Sequence, residues 1–343
     1  MVEPPSIIVL PLLACSLANA LVVAPPFELR RLAPSKAVSA EEAAFVRRCG
    51  YYAWAAYDER RLDASGAVAT TTRAGAQPWG PAHDAHGFVD DAATGTHAAV
   101  WAADATIFVA FRGTDPRSYE DLRTDFDARQ TRLGDGALVH AGFYRAWRAV
   151  RGDVRRAIDA AAGGREATVC YTGHSLGGAL ATLAASESGG RLVTFGCPRV
   201  GDALFASSFC ETCGDAVRVV TAGDVVPRLP RGTLANRILD FRHCCRTLVL
   251  RKRASWRLEA TRPEVVGADP AAEQDPGYRG VFPVDVRDWR PLPVALRFVL
   301  AEASLLAAVL TGAALDAHRE ATYYAAVAAA LGATPGDDVM TAT

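Results

Sequence analysis

The sequence predicts an α/β fold, a mainly parallel sheet flanked by helices. Three observations carry that prediction. Apolar strand-like runs alternate with helical stretches from about residue 105 to residue 222. One of those runs, "ATIFVAFRG" at 105–113, is uninterrupted, as a strand covered on both faces should be. And a serine set among glycines, in "VCYTGHSLGGALATLAA" at 169–185, stands where a strand gives way to a helix. The 343 residues, half of them hydrophobic and 22% charged, suffice for one large domain or two small ones. A net charge of −1 excludes the basic footprint of a nucleic-acid binder.

Taken in order, the elements begin after a segment set apart by composition. "SIIVLPLLACSLANALVV" at 6–23 is apolar and uncharged, and residues 18–20 have the small-x-small form of a signal-peptidase site. Residues 1–20 therefore read as a secretory signal and 21–39 as a linker. A retained anchor or an organelle presequence are the rivals, because the n-region lacks Lys and Arg and "ELRRLAPSKAVSA" is basic. A helix is predicted over 40–59, with Ser39 as N-cap and Glu42 three residues on. Residues 61–86, rich in Gly, Ala, Thr and Pro, read as irregular. Strands follow at 97–104 and 105–113, then a long amphipathic helix starting near Gly142. Next come strand 167–172, helix 176–188, strand 191–196, a helix around "DALFASSF" and strand 216–222.

Of the eight cysteines, Cys170 and Cys197 fall in apolar surroundings and read as small core residues. Cys210 or Cys213 could bridge to Cys244 or Cys245 in an oxidising compartment. Zinc is disfavoured, since the adjacent pair Cys244 and Cys245 chelates one ion poorly, and no metal or other cofactor is expected.

Gly173-His174-Ser175-Leu176-Gly177 satisfies G-x-S-x-G between a buried strand and a helix, the context of a nucleophile elbow. The turn is so tight that only glycine fits at its flanks, and it holds the serine Oγ at a helix N-terminus. Free N–H groups and partial positive charge there stabilise an oxyanion. Such a serine needs a base, and the base an orienting acid. Asp224 follows a strand directly in "VVTAGDVVPRLP"; Asp202 and Asp215 also come after Ser175 but not in that position. Two histidines are candidates for the base, His243 in "DFRHCCRTL" and His318 in "LDAHREATYY". His318, on a polar stretch near the C-terminus, is preferred.

"VAFRGTD", "VHAGFYRAW", "YTGHSLGGALATLAA", "VTFGCPRVGD" and "DVVPRLP", in this order, resemble the class 3 (fungal-type, Rhizomucor-like) lipases of the α/β-hydrolases. The resemblance implies an α/β-hydrolase domain over 40–343 with an insertion around 246–315. It implies Ser175 as nucleophile, Asp224 as acid and His318, with an aromatic a few residues on, as base. It further implies an oxyanion hole formed by Thr114 and the backbone N–H of Leu176. The activity implied is hydrolysis of glycerolipid acyl esters through an acyl-enzyme. The partner is then a small-molecule or lipid ester substrate, with contact to a lipid surface as a minority reading and no obligate protein partner inferred.

Two departures qualify it. The segment where the family's lid falls, "DPRSYEDLRTDFDA" at 115–128, carries seven charged residues and Leu122 where tryptophan is common. Weak interfacial activation follows, so a feruloyl or other polar ester, a galactolipid or a phospholipid are alternative substrates. A catalytically silent lipid-binding relative is the non-enzyme alternative. The second departure is length. "FVLAEASLLAAVLTGAAL" at 298–315 has 18 residues and one charge, Glu302, and reads as a helix packed on the domain rather than a membrane span.

Overall fold

Eight strands hydrogen-bonded side by side form the sheet past whose strand ends Ser175 and Asp224 stand. The structure is a computed structural model that describes residues 39–57, 59–62, 68–71, 87–103, 105–113, 129–221, 224–230, 241–244, 246–250, 264–266 and 313–331. Its first helix, α1 (Ala40–Ala55), begins as read: the Ser39 side chain accepts from the amide of Glu42 at 3.1 Å. It ends four residues before the predicted boundary, and the following turn brings Tyr57 down onto the sheet.

Residues 61–86 are not irregular throughout. Strands β1 (Glu59–Leu62) and β2 (Val68–Thr71) pair antiparallel there. The β-branched "VATT" suits a strand, but composition masks so short a run. The main sheet starts with β3 (Gly87–Asp91), β4 (Thr96–Ala103) and β5 (Thr106–Phe111), an antiparallel meander. A small ribbon of β6 (Gln130–Arg132) and β7 (Leu138–His140) leads into α2 (Ala141–Ala162). The chain then alternates through β8 (Thr168–His174), α3 (Leu176–Ser188), β9 (Arg191–Phe195), α4 (Ala203–Thr212) and β10 (Asp215–Thr221). β11 (Arg246–Leu250) and β12 (Glu264–Val266) complete the far edge. Helices α5 (Ala313–His318) and α6 (Glu320–Leu331) come last.

The strand order is β12-β11-β10-β9-β8-β5-β4-β3. Strands β5, β8, β9, β10 and β11 are parallel neighbours, and the outer pairs are antiparallel. This is the expected α/β-hydrolase arrangement, and it puts β8 at the centre. Side-chain alternation explains why β5 reads as continuous apolar sequence. Ile107, Val109 and Phe111 face a core shared with α2, α3 and α4; Phe108 and Ala110 face a second core shared with α1 and α6. Helix α3 is buried from Gly177 to Ala185, so it has no polar face. Helix α2 buries one stripe, Phe143, Ala146, Trp147, Val150 and Val154.

Candidate active site

β8 ends in Gly173-His174, and the next residue, Ser175, takes φ 56° and ψ −128°. It is the one non-glycine with positive φ among the described residues, a conformation costing about 1–3 kcal/mol. Neighbours over-determine it. The Ser175 amide donates to Phe195 O at 2.9 Å, and Ser175 O accepts from Gly178 N at 2.9 Å. A Cβ at Gly173 would lie 2.4 Å from the carbonyl carbon of Gly177, and one at Gly177 would lie 2.0 Å from Phe111 O. Both flanking glycines are therefore required by contact with backbone, which cannot move aside. His174, between Gly173 and the serine, is fully buried. Leu176 opens α3, so its end of the helix dipole faces the turn.

Asp224 stands three residues beyond the end of β10, its amide donating to Thr221 O at 3.1 Å. Its Oδ1 accepts from Val226 N at 2.9 Å. Its Oδ2 lies 2.7 Å from His318 Nδ1, and His318 Nε2 lies 2.8 Å from Ser175 Oγ. These links span 94 and 143 residues of chain, and Ser175, Asp224 and His318 are all at most 1% exposed. Nδ1–H donates to the carboxylate, leaving Nε2 as the acceptor for the serine hydroxyl.

Sequence reading missed two supports. Tyr323 donates its hydroxyl to Asp224 Oδ2 at 2.5 Å and accepts from Thr221 N at 3.1 Å. Burial, then the adjacent Asp224 carboxylate, push its phenol well above the ordinary range, so it stays a donor. The aromatic doublet of "DAHREATYY" was the visible signal for it. Gly196, with φ +59°, leaves room for the imidazole: a Cβ there would come within 3.0 Å of His318 Cε1 and 3.1 Å of Asp224 Oδ2. Nothing in "VTFG" distinguishes it from a common strand-end glycine.

The rival candidates are occupied elsewhere. His243 Nε2 donates to Pro227 O at 2.7 Å, a buried structural bond. Asp202 caps α4 through Phe205 N at 2.8 Å, and Asp215 pairs with Arg191 at 2.6 Å. Thr114 lies outside the described residues, as do residues 1–38, the segment 115–128, Cys245 and most of the 246–315 insertion. Of the apolar stretch 298–315, only residues 313–315 are described. No helix among the described residues is long and apolar enough to cross a membrane, and no group of three or more His, Cys, Asp or Glu there could hold a metal ion. Cys170 and Cys197 are buried core residues as read. Cys210 Sγ points to Cys244 O at 3.3 Å, and Cys213 Sγ to Gly190 O at 3.1 Å.

Residues 108–233 match the family model of lipase (class 3). Among curated relatives, a secreted mono- and diacylglycerol lipase 1 of Fusarium solani is 36% identical over 142 residues, which is 40% of this chain and 43% of that protein. A lipase of Rhizomucor miehei is 34% identical over 139 residues, 37% of this chain and 38% of that protein. The chain spans half or less of the length of the curated relatives it matches. Among solved structures, the Penicillium cyclopium protein MDLA superposes with a TM-score of 0.54 at 24% identity, covering 71% of this chain and 90% of that one. A lipase from Rhizopus microsporus var. chinensis gives 0.53 at 22% identity, over 73% and 88%. At these identities the structural likeness concerns the fold.

Proposed function

We propose that the protein, whose residues 108–233 match the class 3 lipase model, is a serine carboxylic-ester hydrolase that cleaves glycerolipid acyl esters through an acyl-enzyme. The observation that carries this reading is the continuous chain of short contacts, Ser175 Oγ to His318 Nε2 at 2.8 Å and His318 Nδ1 to Asp224 Oδ2 at 2.7 Å.

The steps follow from these contacts. Oγ attacks the ester carbonyl as His318 Nε2 takes its proton. Asp224, held by Val226 N–H and Tyr323 O–H, fixes the imidazole tautomer and stabilises the cation that forms. The oxyanion is received by the N–H of Leu176 at the start of α3 and, as the resemblance implies, by Thr114, three residues after Phe111 in the sequence. His318 returns its proton to the leaving alcohol, then activates the water that releases the acid. All of this uses side chains and backbone amides of the chain itself.

Several relatives are named mono- and diacylglycerol lipases, which supports partial glycerides as the substrate class. Their names also describe them as secreted, which supports reading residues 1–20 as a secretory signal ahead of a hydrolase domain over 40–343. The charged segment 115–128 favours substrates in dispersed or polar form over fat droplets. The test is direct. The protein hydrolyses p-nitrophenyl esters and Ser175→Ala reduces turnover by about 10⁴-fold or more. Equal rates in the two proteins would refute the proposal.

A further inference from the structure

Helices α5 and α6 meet at a break, and the break leaves the base with a backbone carbonyl to satisfy. In a continuous helix the His318 carbonyl would take the amide of Thr322. Here Arg319 lies between the two helices, and the Thr322 amide turns to Arg319 O at 3.0 Å. The His318 carbonyl instead lies 2.8 Å from His174 Nε2. His174 is the residue immediately before Ser175, so one strand end holds both the nucleophile and the main chain of its base.

The donor in that bond has a fixed form. A carbonyl only accepts, so His174 Nε2 carries the hydrogen and Nδ1 is the acceptor in the neutral ring. The Tyr57 hydroxyl, 2.9 Å from Nδ1, supplies the matching donor. The His174 and His318 rings stack with centroids 4.8 Å apart and planes at 30°, which restricts rotation of the base. Burial, then the neighbouring His318, hold the His174 imidazole well below its ordinary range, so it faces the catalytic imidazolium uncharged. Packing leaves the relay no slack: a Cβ on Gly113 would lie 2.1 Å from Tyr57 Oη and 2.6 Å from His174 O.

We propose that Tyr57 and His174 form a positioning relay that fixes the main chain of His318 to the strand end presenting Ser175. The proposal rests on the reading of Ser175 as nucleophile and His318 as base. Neither relay residue transfers a proton to substrate. Their task is to keep Nε2 of His318 at hydrogen-bond distance from Oγ while the imidazole charges and discharges.

The experiment measures kcat and KM for a p-nitrophenyl ester, and the rate of fluorophosphonate labelling, on the full chain. His174→Leu removes the donor, and kcat and the labelling rate fall about 100-fold with KM unchanged, the scale of an ångström-level misplacement. His174→Gln carries an amide N–H to about the reach of Nε2 and restores kcat to within about tenfold of wild type. Tyr57→Phe keeps the ring, loses the hydroxyl, and lowers kcat about tenfold at constant KM. A His174→Leu protein with wild-type kcat would overturn the relay, as would a folded His174→Gln protein as slow as the leucine variant. If His174→Leu does not fold, Tyr57→Phe decides: wild-type kcat there overturns the relay, and a tenfold loss sustains it. Wild-type protein that is neither labelled nor active overturns the hydrolase reading itself, and the relay falls with it.

Discussion

At Ser175, local strain and local chemistry meet in one residue. Its left-handed backbone is tolerated because Gly173, Gly177 and the Phe195 carbonyl leave no other arrangement. The contacts of the two candidate bases define a second prediction. His318→Ala abolishes Ser175-dependent ester hydrolysis, whereas His243→Ala loses the bond to Pro227 O and keeps activity in the fraction that folds. Activity measured per folded protein, with folding monitored by circular dichroism, checks this; the reverse pattern would move the role to His243. A third prediction concerns pH. His174 is neutral in the fold, whereas in the unfolded chain it titrates near about 6.5. Above that value it contributes no pH dependence. Below it the unfolded state takes up a proton that the native ring refuses, so stability falls as pH falls, by up to about 1.4 kcal/mol per unit. The Tm of wild type should therefore drop relative to that of His174→Gln between pH 7 and pH 5. Parallel curves would exclude the buried neutral imidazole.

At the scale of elements, the site depends on how β5, β8 and α3 approach one another. A Cβ at Gly177 meets Phe111 O at 2.0 Å, backbone against backbone. Gly177→Ala should consequently cost several kcal/mol, as overpacking at a rigid contact does, and remove activity even in any folded fraction. Chemical denaturation with a parallel ester assay checks this, and unaltered stability would show that the strand and helix are further apart than described. Elements were most legible where one physical signal dominated. The apolar runs of β5 and β8, and the 176–188 helix between strands, were readable because burial on both faces requires such residues. β3 was not assigned in advance, since in "GFVDD" only Val89 is buried and its pairing with β4 makes it a strand. β1 and β2 were read as irregular because turn-rich composition surrounds them.

For the molecule as a whole, the fold was legible from alternation and order, and the candidate residues from motifs. Ser175 was marked by its glycines, and Asp224 by its place directly after a strand. His318 was harder, for two histidines fitted the chain order; its polar stretch and the family resemblance favoured it, and it is His318 that lies against Ser175 and Asp224. Gly196 and the Tyr57–His174 link were invisible for a common reason, whereas Tyr323 showed only as one aromatic of a doublet. Each acts through a contact between segments distant in sequence, and no local pattern encodes such a contact. The account as a whole makes Ser175 a nucleophile activated by a base 143 residues away. The most direct test is mass spectrometry of the protein after reaction with a fluorophosphonate. The account predicts a single adduct on the peptide bearing Ser175, absent in Ser175→Ala and formed at least about 100-fold more slowly in His318→Ala. An adduct on another residue, or labelling of Ser175 at an undiminished rate without His318, would contradict it.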